Sequence, residues 1–515
     1  MFLCHYWSRS SDGYVRRDAS TGELVTLDQH RTGQHNDRIN SSGLIDRLTA
    51  GESYAIAFGG QGGAWLPTLT ELVADADLGQ SIAATVDQAH ETLSPVADEL
   101  AAAGGDRFEP ITWIRNHEEE LAVPSETELG DALVSLPGIL LTQLAAVANL
   151  AKQGLDTDAL PPSAVIGHSQ GILATEAVST DGQAPIVADS DLLAIAQLLG
   201  AASTVVARRV GLLGTRDAAP MISIAGTNAA VIDELLAEYA AGQPADATGL
   251  PAVAIVNSRR TIVLSGSPRH LAAFSAHCEL RAAAEADARK RKVTGGTPFS
   301  PVLEDLNVTV PFHHPDLAPA VDLAVEWAER CGLDVDLVRR HATATLVDPV
   351  DWVELVGDAV ASGARWVIDF GPSDLASRLS SPSLRGQGVG VVAAATRGGQ
   401  RNLFVPGSAP EVSRPWSVFA PRLISLPDGR TVVDTAFTRL TGRSPMLLAG
   451  MTPTTVDPAI VAAAANAGHW AELAGGGQVT EEIFDGNIAR LEELLDAGRQ
   501  VQFNSLFLDP YLWKL

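Results

Sequence analysis

The nine residues Ala164-Val-Ile-Gly-His-Ser-Gln-Gly-Ile172 constrain the fold of this chain more than any other stretch. A short apolar run, Val165 and Ile166, leads into Gly167-His168-Ser169-Gln170-Gly171, and residues 172–178 are compatible with a helix. A strand that turns into a helix over Gly-x-Ser-x-Gly leaves no room for a Cβ at the flanking positions, and it lifts the serine onto a strained apex. The serine Oγ is exposed there, and the next backbone N–H points to where an oxyanion would develop. A Gly-rich strand–helix turn with an incidental serine is the alternative, and the flanking elements argue against it. A strand feeding straight into a helix predicts an α/β domain around a mainly parallel sheet.

Composition narrows the class. At 515 residues the chain exceeds one ordinary core, and its length corresponds to about three domains. Hydrophobic residues make up 46% and charged residues 19%, enough to bury sizeable cores. The formal charge of −26 argues against nucleic acid or an anionic membrane surface as partner. Cys4, Cys278 and Cys331 are far apart with no CxxC spacing, so neither a disulfide framework nor a zinc site is expected, and no metal. That pattern suits a reducing compartment and predicts a cytoplasmic location. No uninterrupted apolar run reaches about 18 residues, so no transmembrane helix is expected, and the N-terminus lacks a signal-peptide core.

Along the chain, residues 1–50 read as a polar leader. Tyr54-Ala-Ile-Ala-Phe58 reads as a strand and Gly59-Gly60-Gln61-Gly62-Gly63 as the loop after it. Helices are expected over about 66–103, 131–153 and 190–213, around the elbow strand. Between 219 and 280 the order strand (from Met221), helix (228–239), strand (252–257), strand (261–266), helix (from Pro268) is most of a ferredoxin-like unit inserted into the larger domain. A Gly/Pro-rich loop, 294–301, returns to that domain, and 365–372 reads as a last buried strand and turn. Residues 397–440 read as a linker. From 441 a βαβαβ rhythm begins, with strands over 446–450, 469–474 and 501–508 and helices over 458–467 and 480–497. Glycines at the strand ends match the opening of a (β/α)₈ barrel. Three strands cannot close such a barrel, so either the chain is a fragment, the favoured reading, or its C-terminal segment needs a partner.

A Gly-x-Ser-x-Gly elbow alone would suit a serine esterase. Two further constellations point elsewhere: Gly60-Gln61-Gly62 directly after a strand, and Val310-Pro311-Phe312-His313 well downstream of the serine. With Asn257 in the inserted unit, they resemble the malonyl/acetyl-CoA:acyl carrier protein transacylase family over roughly residues 54–380. The resemblance implies an acyl-transferase fold over 51–396, an α/β-hydrolase-like parallel sheet with the ferredoxin-like insert. It implies Ser169 as the acyl-accepting nucleophile and His313 as its general base, chemistry a neutral imidazole can perform. His314 is the competing histidine. The backbone N–H groups of Gln61 and Gln170 would form the oxyanion hole, and His168 a thioester or acyl contact. A main-chain carbonyl near Asn257 would orient the base, making a dyad. Gly371-Pro372-Ser373-Asp374 departs from the family's usual Gly-Pro-Gly turn.

The acyl group is less constrained. Malonyl-loading members use an arginine in the helix after the elbow to grip the free carboxylate. Arg208 and Arg209 lie in that helix in a register that leaves the choice open. The C-terminal segment is similar to the start of the flavin-dependent enoyl reductase barrel of type I fatty acid synthases, in which acetyltransferase precedes reductase. It places Gly450, Met451, Thr452, Gly475, Gly476 and Asn504 where that family contacts FMN, used with NADPH. The whole pattern implies transfer of an acetyl group from acetyl-CoA to the phosphopantetheine thiol of an acyl carrier domain through an acyl-serine. The other synthase domains would be partners in a homo-oligomer. A malonyl or palmitoyl transacylase, a thioesterase and a silent structural domain are the alternatives.

Overall fold

The computed structural model describes residues 8–10, 13–17, 24–26, 43–62, 64–104, 108–119, 121–215, 218–291 and 299–504. Cys4, Gly63, most of the leader, the loop over 294–298 and the end of the third C-terminal strand lie outside the described residues. The chain divides into two compact units, residues 1–413 and 414–515.

The first unit is organised by a parallel four-stranded sheet in the order Gly390–Ala393, Trp366–Asp369, Tyr54–Phe58, Ala164–Gly167. All residues of Tyr54–Phe58 and Trp366–Asp369 are buried, as expected for central parallel strands covered on both faces. The pleat sorts their side chains. Tyr54, Ile56, Phe58, Trp366 and Ile368 join the large core, while Ala55, Ala57, Ile166 and Val367 pack with Trp352 and Val356 on the other face. In the large core the helices Ala132–Lys152 and Asp189–Arg209 pack on each other. Both are long and apolar enough to cross a membrane by composition, an outcome the apolar-run criterion missed because scattered Ser, Thr and Gln interrupt them. Their side chains are buried mainly within the protein, as in core helices.

The insert completes the ferredoxin-like pattern. Helix Pro268–Lys290 leads to a fourth strand, Val302–Asp305, which pairs antiparallel with Met221–Ala225. The unit thus runs past residue 280 to Asp305. Its sheet order is Val350–Asp351, Ala252–Ser258, Thr261–Ser265, Met221–Ala225, Val302–Asp305, the first being a short parallel strand added from the main domain. It has its own core around Ile224, Leu264 and Phe274. Part of the presumed leader is ordered: Leu44 and Leu48 of helix Leu44–Thr49 are buried in the main core. The segment read as a linker carries helix Arg397–Phe404, whose Leu403 is buried in the first unit.

In the second unit the hairpin Arg422–Ser425/Thr431–Asp434 and helix Ala436–Thr441 precede three parallel strands, Leu447–Leu448, Trp470–Ala474 and Gln502–Asn504. Helices Pro458–Asn466 and Glu481–Leu494 cover one side through Val461, Ala462 and Leu491. This is the βαβαβ order expected from the spacing.

Gly200 permits the close crossing of the two core helices, since a Cβ there would lie 2.6 Å from the carbonyl oxygen of Ala132. Gly200→Ala is predicted to destabilise the first unit by about 1–3 kcal/mol through overpacking. Urea denaturation checks this, and an unchanged midpoint would contradict the crossing.

Candidate active site

The elbow is built from close backbone approaches. A Cβ on Gly167 would lie 2.3 Å from Ile172 N, and one on Gly171 2.5 Å from Phe58 O. Gly60 has the same restriction, at 2.7 Å from His168 O. Larger residues at these positions would push the turn off the neighbouring strand. Ser169 takes φ of 54°, a left-handed conformation that costs a non-glycine residue energy and marks the strained apex. It opens a 3₁₀ helix, Ser169–Ala177, where the sequence suggested a helix of unspecified type.

Ser169 Oγ lies 2.8 Å from His313 Nε2. His313 Nδ1 lies 2.7 Å from the carbonyl oxygen of Asp348. A carbonyl only accepts, so Nδ1 carries the proton and the Nε2 lone pair faces the serine hydroxyl. The orienting carbonyl belongs to Asp348, at the end of the turn Thr343–Val347, and not to the neighbourhood of Asn257 as expected. Asn257 instead holds the other histidine: its Oδ1 lies 2.7 Å from His168 Nε2. The His168 ring also packs edge-on against Trp352 at 5.2 Å between centroids. Burial, aided by the neighbouring His168, pushes His313 down to about 4, and burial also lowers His168. Both imidazoles are therefore neutral near pH 7.

His314 is structural. Its Nε2 donates to Leu250 O at 2.9 Å, and its Nδ1 accepts from Asp316 N, capping the following turn. Gln61 and Gln170 flank the serine, and their backbone N–H groups donate to no carbonyl among the described residues. Their side chains are anchored, Gln61 Nε2 on Ser135 Oγ and Gln170 Nε2 on Leu136 O. Free N–H groups on anchored residues are what an oxyanion hole requires.

Arg208 and Arg209 are not at this site. Arg208 donates to Ala103 O at 2.8 Å, and both arginines border a separate surface hollow with Glu99 and Trp327. The catalytic cleft, about 740 Å³, is lined by Gln61, Ile139, His168, Ser169, Asn257 and Phe312 among others. Among its described lining residues the one cation is Arg378, which is paired with Asp374 at 3.0 Å and largely exposed.

Sequence reasoning missed three contributors. Gln143 donates from one amide nitrogen to Gly59 O and Gly371 O, tying the Gln61 loop to the Gly371–Pro372 turn. Asp369 accepts from Gly371 N and Ser377 N, and burial pushes its carboxyl up to about 7. Asp348 acts through its main chain, which no side-chain motif announces. In the turn, Ser373 adopts φ of 63°, which explains why glycine is usual there.

In the second unit the six flavin-site candidates do gather at the strand ends. Asn504 Nδ2 lies 3.5 Å from Gly450 O, and Gly450 N donates to Glu472. The space over the glycines is occupied, however: a Cβ on Gly450 would meet Asn504 at 2.7 Å and one on Gly476 would meet Thr452 at 2.5 Å. Gly475 is buried and Met451 is half exposed. Among the described residues, no open cradle for a flavin lies over these two glycines.

The elbow serine paired with a histidine, on a parallel sheet interrupted by a ferredoxin-like insert, defines an α/β protein with a nucleophile-elbow site. Residues 220–305 match the family model for the fatty acid synthase central AT domain. The chain is 28% identical to the fatty acid synthase subunit beta of Aspergillus oryzae, over 94% of this chain and 26% of the relative. It is 26% identical to fatty acid synthase beta subunit hexB of Dothistroma septosporum, over 93% and 27%. It thus spans about a quarter of the length of these curated relatives. Among solved structures, the malonyl CoA-acyl carrier protein transacylase of Coxiella burnetii superposes with a TM-score of 0.45 at 19% identity, covering 67% of this chain and 94% of that one. The chain is similar to a stretch of the fungal fatty acid synthase beta subunits, and its insert matches the central AT family model.

Two outcomes follow from this geometry. The acid limb of the serine acylation rate is predicted to fall near pH 4–5, well below the ordinary imidazole range. Because the unfolded chain binds the proton more readily between about 4 and 6.5, His313 also subtracts stability as pH falls through that window. Rapid-quench acylation across pH 4–8 tests the first point, and a midpoint at 6.5 would contradict it. His313→Ala is predicted to slow acylation at least about 10²-fold, whereas His314→Ala lowers the melting temperature with a milder kinetic effect. Single-turnover assays showing the reverse ranking would reassign the base.

Proposed function

We propose that this chain transfers an acetyl group from CoA to the phosphopantetheine thiol of an acyl carrier domain, as the acetyl-loading step of fatty acid synthesis. The observation that carries this reading is the Ser169–His313–Asp348 relay in a cleft whose described lining residues include no buried cation. His313 Nε2 takes the proton as Ser169 Oγ attacks the thioester carbon. The N–H groups of Gln61 and Gln170 stabilise the oxyanion of the tetrahedral intermediate. Its collapse breaks the C–S bond, and the departing CoA sulfur recovers the proton from the His313 imidazolium. The carrier thiol then repeats the sequence in reverse on the acyl-serine.

Acetyl is preferred over malonyl in this reading because a free carboxylate needs a partner. A bidentate arginine contact is worth on the order of 1.5–3 kcal/mol, roughly 10- to 150-fold in specificity, and Arg378 is committed to Asp374 near water. The remaining synthase domains would be partners, and the carrier would reach the cleft within their assembly. FMN and NADPH belong to a complete reductase barrel and take no part in this reaction.

Ser169→Ala is predicted to abolish labelling by radiolabelled acetyl-CoA while keeping the melting temperature close to that of the unaltered chain. Persistent labelling would place the nucleophile elsewhere. In competition, acetyl-CoA is expected to label Ser169 better than malonyl-CoA. A malonyl advantage that survives in Arg208→Ala and Arg209→Ala would overturn the acetyl assignment and point to a different carboxylate-binding group.

A further inference from the structure

Beside the catalytic cleft lies a second cavity of about 560 Å³ that the reaction as described does not use. Three arginines converge on it: Arg259 and Arg260 from the turn between strands Ala252–Ser258 and Thr261–Ser265, and Arg385 from the end of helix Leu375–Leu384. No acidic residue is among its lining residues. This is unexpected on a chain with 62 acidic and 36 basic residues, where a surface arginine ordinarily finds a carboxylate. Several other arginines in the first unit do so, including Arg47, Arg281, Arg330, Arg378 and Arg397. Arg260 is held by Gly226 O at 2.9 Å, and neither Arg259 nor Arg385 has an ion-pair partner among the described residues. The floor is apolar, formed by Val353, Val356 and Val360 on one face of helix Trp352–Ala361.

Two elements bound both spaces. On the hairpin, Asn257 and Thr261 face the cleft, while the residues between them, Ser258 to Arg260, face the cavity. On helix Leu375–Leu384, Leu375 and Leu379 line the cleft, while Ser383 and then Arg385 line the cavity. Ten residues of helix separate the two ends, about 15 Å at 1.5 Å per residue. That is comparable to the reach of an extended pantetheine arm.

We propose that Arg259, Arg260 and Arg385 form the phosphate-binding end of the acyl-CoA site, holding the phosphates of the nucleotide while the thioester reaches Ser169 along the cleft. Guanidinium groups suit phosphate oxygens through paired N–H donors, and the valine floor suits the apolar body of the ligand. The proposal rests on the acyl-CoA reading above. The phosphate on pantetheine is common to CoA and to a loaded carrier, and the cavity is assigned here to CoA. The arginines are positioning groups for the donor and touch none of the reacting atoms.

The test uses the full chain and three substrates: acetyl-CoA, acetyl-pantetheine (the same thioester without phosphate), and the phosphopantetheinylated carrier as acceptor. The double variant Arg259→Gln/Arg385→Gln is expected to raise KM for acetyl-CoA on the order of tenfold, while KM for acetyl-pantetheine moves less than twofold. Arg385→Glu should raise the acetyl-CoA value further, and raised salt should narrow the difference between unaltered and variant protein. An unchanged KM for acetyl-CoA, an equal rise for both donors, or a rise confined to the carrier would each overturn the assignment. Failure of the underlying reading looks different: neither donor would label Ser169 in the unaltered chain.

Discussion

The catalytic arrangement depends on how closely the elbow presses against the strand beside it. His168 N donates to Phe58 O at 2.9 Å, and Gly171 passes near that same carbonyl, where a Cβ would lie only 2.5 Å away. The register of Tyr54–Phe58 on Ala164–Gly167 therefore fixes the height of Ser169 above the sheet. It also places the Gly59–Gly62 loop, with Gln61, over the serine. The buried Gln143 amide then locks that loop to the Gly371 turn. Several kilocalories of backbone strain at Ser169, His313 and Ser373 are tolerated because these contacts over-determine the local conformation.

The histidine is fixed by different means. The insert and the main domain meet around it: Asn257 from the insert restrains His168, and Trp352 from the main domain packs on the same ring. The turn Thr343–Val347 brings the Asp348 carbonyl to His313 and the Leu346 carbonyl to His314 N. Adjacent histidines thus serve opposite purposes, one presenting a free lone pair and the other spending both nitrogens on the backbone. Burial keeps the first neutral, with its Nε2 lone pair directed at Ser169 Oγ.

Much of this was legible in the residues. The strand–turn–helix context around Ser169 and the phase of Pro311-Phe312-His313 single out the two side chains that the fold brings within 2.8 Å, because both depend on local backbone requirements that sequence records. The insert was read as β-α-β-β-α because its strands are short, β-branched and bounded by turn residues, but its last strand follows a loop and carries Glu304 and Asp305, which hide its period. Helix Arg397–Phe404 is hidden in the sequence because Gly398 and Gly399 obscure its pattern, although a Cβ on Gly399 would collide with Ala393 O. The orienting carbonyl was misplaced for a deeper reason. Main-chain groups are the same at every residue, so only the fold can say which one is near. The arginine pair failed likewise, since neighbours on a helix point about 100° apart and the choice of face is tertiary.

The use of a peptide carbonyl to hold the base has a consequence for how this site ages under mutation. A catalytic carboxylate can be lost by a single codon change, whereas the oxygen that holds His313 survives any substitution at position 348 that leaves the turn intact. The inheritable part of the relay is two side chains, Ser169 and His313, and the third member is carried by chain geometry. Sequence drift at residue 348 is thus compatible with an active enzyme, and the identity of the amino acid there says little about whether a related chain is active.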